Sequence, residues 1–129
     1  MKKSTPFSVK ERAQSFVPAF NGVRLLFISE HNAWVHLFCM IAATISGVLL
    51  QINNIEWLFL SLAIILVFLS ELFNTALEKL ADKVEPDFNP EIGAIKDYAS
   101  AAVLMASIFA VVVGGIVFGP KVFVLINGL

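Results

Sequence analysis

Three long apolar runs, separated by short polar segments, dominate the chain. They cover about residues 33–52, 56–73 and 98–119. Each approaches the roughly 20 residues that a helix needs to cross a bilayer. Within these runs, His36 and Glu71 are conspicuous ionisable side chains. The pattern predicts three transmembrane helices, the first two joined by a tight polar turn.

The segment before the first run has a different pattern. At 100° per residue, one narrow stripe of residues 7–28 is apolar and consists of Val9, Phe16, Phe20, Val23 and Phe27. This arrangement favours a helix lying in the membrane surface. Pro18 and Gly22 are expected to bend or interrupt it.

Residues 84–95 contain prolines and a glycine and are predicted to form a polar loop before the third span. With 58% hydrophobic residues in a chain of 129, the composition indicates a single integral membrane domain, residues 1–129, of the all-α class. The formal net charge of −1 gives no reason to expect a nucleic-acid partner.

The distribution of basic residues predicts the orientation. Five precede the first span and three lie around the loop between the second and third spans, whereas the turn between the first two spans has none. By the positive-inside rule, the N-terminus and the 84–95 loop are cytoplasmic. The basic residues on that side are Lys2, Lys3, Lys10, Arg12, Arg24, Lys79, Lys83 and Lys96.

The second span carries the strongest chemical signal. At 100° per residue, five polar side chains fall within about 100° of arc on one helix face. They are Glu71, Asn74, Thr75, Glu78 and Asp82. An ionisable group inside a span marks a functional site by default. The alternative is that Glu71 and Asn74 only form hydrogen bonds between helices.

Other charged residues belong to the same cytoplasmic level. Glu30 precedes the first span, and Lys96 and Asp97 precede the third. Carboxylates beside a lysine at a membrane surface suit Mg²⁺ bridged to phosphates, because Mg²⁺ takes one or two carboxylates plus substrate oxygens. His31 and His36 do not share a helix face, so structural or hydrogen-bonding roles are expected for both.

At these residues the sequence resembles the small bacterial diacylglycerol kinase and undecaprenol kinase family. The similarity spans about residues 12–118. Its most specific parts are the segments Glu71–Glu78 and Ala94–Val103, supported by Glu30-His31-Asn32.

The resemblance implies an enzyme that transfers phosphate from ATP to a membrane lipid alcohol, with Mg²⁺ as cofactor. It also implies a homotrimer in a bacterial inner membrane, with active sites between subunits on the cytoplasmic side. In this family pattern Glu30 and Glu78 bind Mg²⁺, and Glu71 is the catalytic base with Asn74 beside it. Residues expected at the nucleotide are Arg12, Glu30, Glu78, Asp82, Asn89, Gly93, Lys96 and Asp97. Residues expected at the lipid are Gly22, Arg24, Glu71 and Ser100.

The lipid and the class of function have alternatives. His36 stands where the diacylglycerol-specific branch usually has glutamate, which favours undecaprenol over diacylglycerol. Pro18 replaces a usual tyrosine, so the contribution of the N-terminal helix to ATP binding is expected to differ. A small oligomeric transporter using Glu71 for a proton or cation would explain the intramembrane carboxylate. A non-catalytic membrane scaffold is a third possibility.

Overall fold

The computed structural model describes residues 9–128, and their side-chain surroundings from residue 12 onward. This part of the chain is almost entirely helical. Its helices are α1 (Val9–Gln14), α2 (Phe16–Ser29), α3 (His31–Leu49), α4 (Asn54–Val84) and α5 (Pro90–Asn127). Among these, α3, α4 and α5 are long and apolar enough to cross a membrane, which confirms the three predicted spans.

The predicted N-terminal helix is divided in two. Residues 7 and 8 lie outside the described part of the chain, and Ser15 separates α1 from α2. Its backbone N–H and its Oγ both donate to the carbonyl of Arg12, at 3.2 and 2.6 Å. Pro18 explains the break, because it lacks an N–H and its ring clashes with the carbonyl four residues earlier.

The expected interruption at Gly22 was wrong, because α2 continues through this residue. A single glycine costs a helix only about 1 kcal/mol relative to alanine, which neighbouring turns readily offset. The last turns of α2 contact the spans. The Phe27 ring lies 5.4 Å from the Trp34 ring of α3 and 6.1 Å from the Phe68 ring of α4, measured between centroids. The location of α1 and α2 in the membrane surface stays a prediction.

The turn between α3 and α4 starts earlier than predicted. The first span was expected to reach residue 52, but α3 ends at Leu49. Gln51 has a φ of 49°, a left-handed conformation that a right-handed helix cannot continue. Asn53 then caps α4: its side chain accepts from two backbone N–H groups, while the Glu56 side chain accepts from the Asn53 N–H. This capping box fixes the start of the helix.

The loop between α4 and α5 is shorter than predicted. It was expected over residues 84–95, but α4 ends at Val84 and α5 begins at Pro90. Proline suits the first position of a helix, where its missing N–H would have had no helical partner. Asn89 accepts a hydrogen bond from the Glu91 N–H at 2.9 Å and caps the helix. Gly93 therefore lies in the first turn of α5 and not in a loop.

The two longest helices pack mainly against each other. A buried apolar cluster joins the start of α4 to the second half of α5, and it consists of Ile52, Leu60, Ala63, Val113 and Val117. Most other large apolar side chains along the spans face outward, including Phe38, Leu58, Met105 and Val111. Such a surface requires an apolar surrounding, so the chain is a membrane protein.

We expect Gly47→Val to destabilise the α3–α4 hairpin. A Cβ at Gly47 would lie 2.8 Å from Trp57 Cη2 and 3.0 Å from Ile52 Cδ1. Overpacking of this kind costs about 1–3 kcal/mol. Unfolding in detergent micelles measures the loss, and Gly115→Val is the matched control because a Cβ there meets no atom within 4 Å. Equal stability of the two variants would contradict this account.

Candidate active site

The polar side chains predicted on one face of the second span all lie on α4. Glu71 and Thr75 are buried, whereas Asp82 is exposed near the end of the helix. At 1.5 Å per residue, the 11 residues from Glu71 to Asp82 span about 16 Å. The polar face therefore runs from the apolar part of the helix towards the end that carries the α4–α5 loop.

Glu71 forms the innermost contact of this face. His36 Nε2 of α3 lies 2.9 Å from Glu71 Oε1, and the two side chains are 20% and 3% exposed. The pair joins two spanning helices inside the protein. The expectation of a hydrogen-bonding role for His36 is thereby confirmed.

Asn74 connects α4 to α5. Its Nδ2 donates to Glu78 Oε1 at 3.1 Å, and its Oδ1 accepts a long hydrogen bond from Ser100 Oγ at 3.4 Å. Because an amide donates and accepts at different atoms, Asn74 can orient a carboxylate and a hydroxyl at the same time. Three residues predicted for the site, Asn74, Glu78 and Ser100, are thus brought together.

Lys96 of α5 forms an ion pair with Asp82 at the outer end of the polar face. Its Nζ lies 2.6 Å from Asp82 Oδ1, with the lysine side chain 35% and the aspartate side chain 67% exposed. An exposed ion pair of this kind contributes little to stability, about 0–1 kcal/mol.

Thr75 is a residue to which the sequence assigned no role. Its Oγ1 is buried and has no hydrogen-bond partner in the described part of the chain. Threonine inside a helix commonly donates to the carbonyl four residues earlier, but Thr75 Oγ1 makes no such bond to the Glu71 carbonyl. Its place on the polar face was visible from spacing, but an unmatched hydroxyl is a property of packing that spacing does not reveal.

Several other predicted residues lie at helix ends or at the protein surface. Glu30 is half-buried and separates α2 from α3, with its N–H donating to the Leu26 carbonyl at 2.9 Å. Asn89 caps α5, and the Gly93 N–H donates to its carbonyl at 2.9 Å. Arg12, Arg24 and Asp97 are exposed. A Cβ at Gly22 would meet no atom within 4 Å, so close packing does not explain this glycine.

The acidic residues fit only some kinds of metal site. Within the described residues, no group of three or more His, Cys, Asp or Glu side chains is arranged to hold a metal ion. A protein-only cage is therefore not formed by this part of one chain. The carboxylates of Glu78 and Glu30 still suit Mg²⁺, which usually takes one or two carboxylates and completes its shell with phosphate oxygens and water.

An apolar groove of about 330 Å³ lies between the three spans. His36 is on its wall, so the groove reaches the partner of Glu71 from the apolar side. Its other lining residues include Cys39, Met40, Leu60, Val67 and Gly114. A second groove, between α4 and α5, is lined by Ser70 and Asn74 together with apolar side chains.

Comparison with known proteins identifies the family. Residues 18–118 match the family described as prokaryotic diacylglycerol kinase, which is well over half of the chain. The chain belongs to this family. It is accordingly a lipid kinase, which confirms the predicted resemblance and the predicted enzyme class.

Some relatives are named undecaprenol kinase and others diacylglycerol kinase. The chain is 33% identical over 108 residues to the undecaprenol kinase of Bacillus subtilis, covering 84% of this chain and 88% of that protein. It is 38% identical over 107 residues to a diacylglycerol kinase of Synechocystis, covering 82% of this chain but 61% of that longer protein. It is 29% identical over 94 residues to the diacylglycerol kinase of Escherichia coli K12, covering 73% and 77%.

For this lipid kinase, we expect Lys96→Met to reduce activity at least tenfold without reducing stability. The Lys96–Asp82 pair is exposed, so its loss should change the free energy of unfolding by less than about 1 kcal/mol. Turnover and detergent unfolding measure the two effects. The matched control is Lys121→Met, which removes the 3.3 Å pair with Glu56 at the opposite end of the same two helices. Equal activity losses in both variants would count against a specific role for Lys96.

Proposed function

We propose that the chain is an ATP- and Mg²⁺-dependent lipid kinase that transfers the γ-phosphate to a membrane lipid alcohol, with undecaprenol favoured. The observation that carries this proposal is the continuous polar face of α4. It begins at buried Glu71 and ends at the exposed Asp82–Lys96 pair. Such a face gives a lipid hydroxyl and a water-soluble nucleotide one common surface on which to meet.

Glu71 is proposed as the general base. A hydroxyl entering from the membrane can approach a carboxylate that is buried within a spanning helix. Glu71 would accept the hydroxyl proton as the oxygen attacks the γ-phosphorus, the bond from that phosphorus to the β–γ bridging oxygen breaks and ADP leaves. Base catalysis of this kind contributes about 10²–10⁴-fold. Asn74 lies three residues further along the same face and would orient the reacting groups. Ser100, Gly22 and Arg24 are proposed along the path of the lipid.

The nucleotide is proposed at the outer end of the face. Lys96 would offset phosphate charge there, with Asp82 and Asp97 beside it. Phosphoryl transfer requires little covalent chemistry from the protein, because positioning and electrostatic stabilisation account for most of the rate enhancement. Arg12, Asn89 and Gly93 are proposed near the nucleotide as well. For Asn89 and Gly93 this agrees with their position in the cap and first turn of α5.

Glu30 and Glu78 are the proposed Mg²⁺ ligands. When bound, the ion would neutralise negative charge on the phosphates during transfer. Glu78 already accepts a hydrogen bond from Asn74, which fixes one of its oxygens and leaves the other for coordination. Glu30 follows the end of α2, whose Phe27 packs against Phe68 of α4.

We further propose a homotrimer with active sites between subunits. Three spans from one chain leave many large apolar side chains of α3, α4 and α5 exposed, and they offer little enclosed space for a substrate complex. Small residues recur every four positions in α5 and favour close helix contacts; these are Ala102, Ala106, Ala110 and Gly114. Within the described residues, no side-chain hydrogen bond or ion pair joins Glu30 to Glu78. A neighbouring subunit is therefore proposed to complete the site.

The proposed location is the bacterial inner membrane, with the N-terminus and the site facing the cytoplasm. The basic residues near the α4–α5 loop and before α3 support this orientation through the positive-inside rule. The cytoplasm is also the compartment that supplies ATP. The opposite end of α4, with Glu56 and Trp57, would then face outward.

Two lipids remain as substrates. Undecaprenol is favoured by His36 and by the relative in Bacillus subtilis, most of whose length is covered. Diacylglycerol is the second candidate, favoured by the relatives in Synechocystis and Escherichia coli. Both alcohols present a hydroxyl at the membrane surface beneath long apolar chains, so the polar face of α4 suits either.

The substitution Glu71→Gln should reduce turnover by at least 10²-fold, because an amide cannot accept the hydroxyl proton. Protection of the protein by nucleotide against proteolysis should stay close to the wild-type level. Glu56→Gln, the same change near the other end of α4, should keep near wild-type activity. A Glu71→Gln variant with normal turnover would exclude Glu71 as the base.

The two lipids can be compared directly in mixed micelles that contain purified protein, Mg²⁺ and [γ-³²P]ATP. We expect undecaprenol to be labelled several-fold faster than diacylglycerol at equal mole fraction. Faster labelling of diacylglycerol would reverse the substrate assignment. Labelling of neither lipid would count against the proposed reaction, and omission of Mg²⁺ should abolish labelling of both.

A further inference from the structure

The contact between Glu71 and His36 has a feature that the proposed reaction does not explain. The base is on α4, yet its hydrogen-bond partner comes from a different helix, α3, with Nε2 and Oε1 2.9 Å apart. Only 3% of the Glu71 side chain is exposed, so water has little access to it. The position of this carboxylate therefore depends on His36.

A carboxylate inside a spanning helix requires a donor. A buried carboxylate without a hydrogen-bond partner costs free energy, so a donor on a neighbouring helix stabilises the position of this group. An imidazole with hydrogen on Nε2 supplies this donor to Oε1. The second carboxylate oxygen, Oε2, then stays available for the substrate.

We propose that His36 is a positioning residue for the reaction: its Nε2–H donates to Glu71 Oε1, fixes the rotamer of the carboxylate and directs Oε2 towards the lipid hydroxyl. The inference rests on the proposed function of Glu71 as general base. His36 acts through Glu71 and is not itself assigned a contact with the phosphate.

The site around His36 supports a directional contact. The ring lies on the wall of the groove between α3, α4 and α5, where its neighbours include Cys39, Met40 and Val67. Within the described residues, the hydrogen bond made by the ring is the one to Glu71, and this contact orients the ring. The rotamer of Glu71 is in turn set by a residue on another helix, which limits the positions that its free oxygen can adopt.

Three substitutions test whether His36 acts as a hydrogen-bond donor or only fills space. His36→Gln keeps an amide N–H at the same number of bonds from the backbone as Nε2. His36→Asn carries the same amide one carbon shorter, so it does not reach Glu71. His36→Leu fills similar space without a donor. Thr44→Val is the control on α3, since Thr44 Oγ1 donates only within its own helix, to the Met40 carbonyl at 2.8 Å.

The experiment measures kcat and the KM for ATP of each variant in mixed micelles, with folding checked by detergent unfolding. We expect kcat to fall about tenfold or more in the Leu and Asn variants, the effect typical of a lost hydrogen bond to a charged group. The Gln variant should recover kcat to within about threefold of wild type. The KM for ATP should change by less than about twofold in all of them, and Thr44→Val should match wild type.

Two results would overturn the inference. One is a Leu or Asn variant with wild-type kcat; the other is a Gln variant as slow as the Asn variant although both are folded. A merely structural role would lower kcat according to stability and would not distinguish Gln from Asn. If the Leu variant does not fold, the comparison of Gln with Asn alone decides the question.

Different results would exclude the role of His36 and the proposed function. If the wild-type protein labels no lipid alcohol, the proposed function is lost before His36 is considered. If wild type is active and Glu71→Gln is inactive, but the His36 variants are as fast as wild type, only the role of His36 is excluded.

Discussion

A carboxylate buried in a spanning helix is the constraint on which this structure depends. The backbone of α4 satisfies its own hydrogen bonds, and a buried polar side chain without a partner among apolar surroundings costs free energy. Within the described residues, Thr75 Oγ1 is the exception on this face. Glu71 is matched by His36 of α3, Asn74 by Ser100 of α5, and Asp82 by Lys96 of α5. The polar face therefore contributes contacts from α4 to both of the other spans, in addition to the apolar cluster between α4 and α5.

Helix length places the outer part of this face beyond the apolar interior. At 1.5 Å per residue, the 31 residues of α4 extend about 46 Å and the 38 residues of α5 about 57 Å. The hydrocarbon core of a bilayer is about 30 Å thick. The helices therefore project into the headgroup region, where Glu78, Asp82 and Lys96 can contact water while Glu71 stays buried.

The two ends of the α4–α5 pair have different roles. At one end, a capping box, the close contact of Gly47 with Trp57 and the Glu56–Lys121 pair hold the hairpin and the helices together. At the other end, contacts made by a carboxylate and an amide of α4 join this helix to α5. These are the groups proposed for phosphate chemistry. The contacts that hold the hairpin and the residues of the proposed chemistry thus lie at opposite ends of the same two helices.

The sequence by itself determined the three spans and the polar face of α4, because hydrophobic runs and a 100° repeat depend only on the order of residues. It also placed Glu71, Asn74, Glu78 and Asp82 on one side. The helix ends were predicted less well: local capping by Asn89 and Pro90 shortened the loop, and Gln51 ended α3 early. Only the tertiary structure decided that His36 faces Glu71 and that Lys96 reaches Asp82. Those contacts join residues 35 and 14 positions apart, and the relative rotation of packed helices is set by all of their side chains together.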